Sequence, residues 1–121
     1  MAYTIGKVAE RVGLSTYTLR YYEKEGLLPQ IKKNEYGIRI YEEEDIVWIE
    51  LIKCLKETGM SISDIHYIVE LSLNGEQTIP ERKAILQAHK KQLQEQMEVI
   101  QRSMIKIDKK IEWYEGKQGE C

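Results

Sequence analysis

The segment Ser15-Thr16-Tyr17-Thr18-Leu19-Arg20-Tyr21-Tyr22-Glu23-Lys24-Glu25-Gly26 spells a short helix with two unlike faces. Ser15 is a good N-cap, and Leu14 and Leu19 occupy the two positions of a hydrophobic staple. Gly26 ends the helix. With residues spaced about 100° apart on a wheel, Leu19 and Tyr22 fall on one side and face a core. Tyr17, Arg20, Tyr21 and Lys24 gather on the other, and Thr16 stands at the start of the helix. Arginine reads guanine edges or grips phosphate, and tyrosine hydroxyls are good phosphate donors. The plainer reading is a solvated face, but solvated faces favour Glu and Lys over two tyrosines.

Working outward, Thr4 caps a helix over Ile5–Val12. Its stripe is Ile5, Val8, Ala9 and Val12, and Gly13 stops it. Two short helices joined by a glycine-containing turn make a helix-turn-helix. Downstream, Ile31 to Tyr41 reads as a hairpin turning at Asn34 to Gly37. Alternation puts Ile38 and Ile40 on one face and Arg39 with Tyr41 on the other. Such a hairpin is expected as a wing, with Arg39 and Tyr41 against a phosphate backbone. The next helix spans Glu42 to Thr58, and its four leading acids suit the positive helix end. Val47, Trp48, Leu51, Ile52, Cys54 and Leu55 give it a broad apolar arc. Ser61 to Asp64 is a capping box for a further helix to about Leu73.

The last helix opens at Thr78-Ile79-Pro80-Glu81 and runs unbroken to Glu115. Leu93, Met97, Ile100, Met104, Ile107, Ile111 and Tyr114 alternate spacings of four and three, which is a coiled-coil seam. Extended backward it takes in Leu86 and Lys90, the latter a polar residue able to fix register. About 37 residues at ~1.5 Å each make a helix of roughly 55 Å. That is too long to bury against so small a domain, so a second copy is the simplest partner. The expected organisation is a winged helix-turn-helix over 1–75, a dimerisation helix over 76–116 and a tail over 117–121.

Composition agrees. The 121 residues suffice for one small domain and an appendage. The net charge of −2 is unhelpful for a DNA binder, but the distribution matters more. Residues 1–41 carry seven bases against four acids, and six of the eight tyrosines. No apolar run approaches the ~18 residues of a membrane span, and no apolar signal region opens the chain. A cytoplasmic protein is expected. Cys54 and Cys121 form no disulfide framework, and neither sits in a metal-binding cluster. His66 and His89 read as surface or packing residues. No metal, cofactor or catalytic constellation is expected.

Ile5-Gly6-Lys7-Val8-Ala9, Thr18 to Glu23, Gly26-Leu27-Leu28-Pro29, Gly37 to Tyr41 and Asp45-Ile46 resemble the MerR family of transcription regulators in order and spacing. The resemblance covers nearly the whole chain. It implies a mainly α fold with a small β-hairpin wing, and a homodimer whose long helices pair antiparallel. It implies binding to promoter DNA in an overlong spacer between the two RNA polymerase contact elements, with activation by twisting and bending that spacer. By motif position, Tyr17 and Arg20 contact DNA from the recognition helix. Tyr21, Arg39, Tyr41 and Lys56 reach phosphate. Glu42 departs from the Ser or Thr usual at that N-cap, which weakens the cap.

The family also frames the effector. Larger relatives carry a C-terminal drug-binding domain; with the sequence ending after the coiled coil, no such pocket is expected. Metal sensors place cysteines around the dimerisation helix; here its start has none and its end offers Cys121 alone. Ile52-Lys53-Cys54-Leu55 resembles a subgroup that responds to aldehydes and other electrophiles through one cysteine. Against this, cysteine is often a small buried hydrophobe. Cys54 also lies near a helix C-terminus, which disfavours a thiolate unless Lys53 or a partner base compensates. Sensor and spacer both stay open. So do an effector-independent or metal-responsive regulator, and a coiled-coil interaction protein that binds no DNA. A small enzyme has no supporting motif.

Overall fold

Caps, more than propensities, set the element boundaries. The Thr4 hydroxyl accepts from the Lys7 N–H at 3.3 Å and opens α1, Ile5–Val12. Gly13, at φ 73°, closes it by donating its N–H to the Ala9 carbonyl. That left-handed conformation strains any residue with a Cβ. Ser15 Oγ accepts from the Thr18 N–H at 3.0 Å and opens α2, Thr16–Lys24. The computed structural model describes residues 2–28 and 30–116.

Strands β1 (Lys32–Lys33) and β2 (Arg39–Ile40) pair antiparallel, with Lys32 opposite Ile40 and Lys33 opposite Arg39. Asn34 organises the turn. Its side-chain oxygen accepts from the N–H groups of Tyr36 at 2.9 Å and Ile38 at 3.0 Å, an arrangement that asparagine favours. Beyond β2, Tyr41 pairs with Tyr3 through two 2.8 Å backbone bonds. The N-terminal segment thus covers the end of the wing.

Helix α3 is Glu43–Glu57. Its expected weak cap is reinforced from within, because the Asp45 carboxylate accepts from the Glu42 N–H at 2.8 Å. Glu43 does more than cap: it accepts from Tyr3 at 2.6 Å and from both terminal nitrogens of Arg11, at 2.8 and 3.1 Å. Lys53 donates to the Val12 carbonyl at 2.7 Å. Both interactions tie α3 to α1, and the second commits Lys53 to the end of α1.

The apolar arc expected on α3 resolves into two stripes. Ile46, Ile49, Ile52 and Leu55 are buried with Val8, Leu19, Leu27 and Ile65 in the core. Val47, Leu51 and Cys54 lie on the exposed side. The arc spans more than one face of the helix, and only one face meets α1 and α4.

Helix α4, Ile62–Leu73, starts on Ser61, whose Oγ accepts from the Asp64 N–H at 3.1 Å. A 3-10 turn, Glu76–Thr78, leads into α5, Ile79–Tyr114. Thr78 does not by itself open the helical run, since the preceding turn is already helical. It is buried, its hydroxyl 2.7 Å from both the Leu71 and Gly75 carbonyl oxygens. Arg82 donates to Thr78 Oγ1, Ser72 Oγ and the Gly75 carbonyl at 3.1–3.2 Å. The chain accordingly divides into compact units between Arg82 and Lys83. The first turn of α5 stays with the N-terminal unit.

Candidate nucleic-acid interface

Helix α2 separates its faces as its spacing demands. Leu19 and Tyr22 are buried, while Tyr17, Arg20, Tyr21 and Lys24 are exposed. Tyr17 is 78% exposed. Thr16 is half-buried at the first position of the helix, and Lys56, on α3, is exposed.

The wing differs from the expectation at Tyr41. Arg39 and Tyr41 differ in burial: Tyr41 is packed into the core, whereas the Arg39 side chain stays part-exposed against α2. The Arg39 Nε donates to both carboxylate oxygens of Glu23, at 2.8 and 2.9 Å. Tyr41 has no exposed surface, and its hydroxyl has no hydrogen-bond partner among the described residues. Burial, then the charge of Glu23, pushes its pKa up. Alternation describes a free-standing hairpin, whereas Tyr41 is bridged to Tyr3 and drawn into the core. The exposed side holds Ile38, 55% exposed, and Tyr36 at the turn, 79% exposed. Neither stands out in the sequence, because period-two alternation says which residues share a face and not which face is covered.

A cleft of about 220 Å³ opens where the start of α1, α2 and the wing meet. Thr4, Ile5, Arg20, Gly37, Ile38 and Arg39 line it. Two arginines and no acid line this space; Glu23 offsets the charge of Arg39, and that of Arg20 leaves the lining suited to an anion. Among the described residues no group of three His, Cys, Asp or Glu is placed to hold a metal. His66 instead pairs with Glu70 at 3.0 Å within α4. Cys121 lies outside the described residues.

Comparison with known proteins decides the family. A profile described as "MerR HTH family regulatory protein" matches residues 3–71, and one described as "MerR, DNA binding" matches residues 46–109. An uncharacterized HTH-type transcriptional regulator of Haemophilus influenzae is 40% identical over 115 residues, covering 95% of this chain and 85% of that protein. The chain belongs to the MerR family. The Bacillus subtilis transcriptional regulator AdhR is 45% identical over 89 residues, 74% of this MerR-family chain and 64% of AdhR. Among solved structures, HiNmlR, described as a MerR family regulator lacking the sensor domain and bound to promoter DNA, superposes with a TM-score of 0.74. It is 40% identical, and the match covers 96% of this chain and 92% of HiNmlR. The molecule is a MerR-type DNA-binding transcription regulator, not an enzyme. No described helix is long and apolar enough to cross a membrane.

Proposed function

We propose that this MerR-family chain binds double-stranded promoter DNA as a homodimer and distorts the spacer between the two RNA polymerase contact elements. The observation that carries the reading is the exposed face of Tyr17, Arg20, Tyr21 and Lys24 beside the cleft that Arg20 and Arg39 line. Arg20 supplies base-edge or phosphate contacts. Thr16, Tyr17, Tyr21, Lys24 and Arg39 supply backbone contacts, and Lys56 reaches phosphate further along the duplex. The promoter-bound state of HiNmlR supports the choice of partner. Dimerisation rests on the second unit, where every seam residue from Leu86 to Tyr114 is exposed, Lys90 included. Fluorescence anisotropy on the DNA upstream of the chain's own gene tests the reading. Arg20→Ala costs on the order of 1–3 kcal/mol in binding. Undiminished affinity in a folded Arg20→Ala variant contradicts the assignment.

A second reading concerns the signal. Cys54 is exposed on α3, beside the apolar stripe of Val47 and Leu51. This favours a thiol open to electrophiles over a buried spacer. An adduct there places polar or bulky matter on an apolar surface and shifts how the DNA-binding unit is set in the dimer. The Lys53 ammonium is held 2.7 Å from the Val12 carbonyl at the end of α1. Transcription from the target promoter is measured with and without an aldehyde, in wild type, Cys54→Ser and Cys121→Ser. Induction abolished in Cys54→Ser alone supports the sensor. Equal induction in all three removes it.

A further inference from the structure

We infer that Glu23, an acid on the recognition helix, strengthens DNA binding by positioning Arg39 of the wing. This rests on the reading that Arg39 meets a phosphate. An acid next to a polyanion ordinarily opposes binding, so Glu23 needs a specific geometry to do otherwise, and it has one. Both of its carboxylate oxygens accept from the Arg39 Nε, at 2.8 and 2.9 Å. The two Nη groups of Arg39 make no hydrogen bond among the described residues. The guanidinium is planar, with its donors in a fixed fork. Holding the Nε–H therefore narrows where the other four N–H donors point.

The pair also spans two elements. Glu23 sits in the last turn of α2 and Arg39 in β2, 16 residues apart. The side chains are 28% and 40% exposed, so water screens the pair only in part. Strand β2 is two residues long and pairs with a strand of two, too little to hold a wing rigid. Glu23 joins the wing to the helix that it accompanies onto DNA. The entropic cost of ordering Arg39 is met in the free protein, which leaves more of the phosphate interaction as affinity.

Charge and position predict opposite signs. If Glu23 acts only as a charge, Glu23→Ala and Glu23→Gln both tighten binding. If it positions Arg39, Glu23→Ala weakens binding roughly tenfold. Glu23→Gln, which keeps one acceptor for Nε, retains most of the affinity. The slope of log K against log salt becomes shallower by roughly one for each phosphate that the protein no longer neutralises. Glu25→Gln, at an exposed acid one residue beyond α2, tightens binding slightly and reports the pure charge effect. Because Glu23 acts through Arg39, Glu23→Ala costs nothing further in an Arg39→Ala background. Circular dichroism and light scattering confirm a folded dimer for each variant. Glu23→Ala binding as tightly as wild type, or an equal loss of affinity in both backgrounds, overturns the inference. Unchanged affinity in Arg39→Ala alone overturns instead the reading on which it rests.

Discussion

Tyr41 and Glu43 show how much the covering of one residue decides. The Tyr41 hydroxyl is buried without a partner among the described residues, and a buried unpaired hydroxyl costs about 1–3 kcal/mol. Tyr41→Phe removes that cost along with the hydroxyl. It leaves the unfolding free energy equal or raises it by about 1 kcal/mol, and it leaves DNA affinity unchanged. Urea unfolding and anisotropy on one sample check both. Glu43 behaves in the opposite way, since both carboxylate oxygens are engaged. Hydrogen bonds from Arg11, then from Tyr3, lower its pKa from 4.5 to about 2. A depressed carboxylate stabilises the fold above its unfolded value, and the effect is lost as pH falls through the folded one. Wild type therefore exceeds Glu43→Gln in denaturation midpoint at pH 7, and the gap closes from about pH 4.5 toward pH 2. Glu43 is half-exposed, so the gap is modest and shrinks in high salt. A gap independent of pH and salt contradicts the account.

At the scale of elements, α1, α2 and α4 are legible in the sequence because each carries its own start signal. Thr4, Ser15 and Ser61 all accept from the N–H three residues on. Ser15→Ala removes the cap of the recognition helix and costs ~1 kcal/mol of stability, readable as a lower urea midpoint. Ser15→Asp restores it. The wing and α3 are legible only in part. Period two in the wing and a wide arc on α3 both name apolar residues without saying which surface tertiary packing takes. Tyr41 turns inward because of Tyr3, 38 residues away in the chain, and Val47 and Leu51 stay outside because α1 and α4 cover the opposite face. The Glu23–Arg39 pair is invisible in the sequence for a related reason. No spacing rule links a helix acid to an arginine on a strand that folds back upon it.

For the whole molecule, the long helix poses the question of a partner. Its 36 residues bury no side chain in the single chain, and such a surface is stable in water only when covered. Light scattering at micromolar concentration is expected to report twice the 14.3 kDa chain mass. Ile100→Lys with Ile107→Lys returns it to one chain mass, because charges on the seam are costly to bury. A wild-type monomer removes the dimer from the account.

DNA binding through the α2 face and the wing is tested most directly by the salt dependence of operator affinity, wild type against an Arg20→Ala, Arg39→Ala double variant. Wild type is predicted to bind the upstream duplex with two chains per site and a steep negative slope of log K on log salt. The folded, dimeric double variant is predicted to bind at least tenfold more weakly, with a visibly shallower slope. Equal affinity and equal slope for the two proteins would place the DNA-binding surface elsewhere.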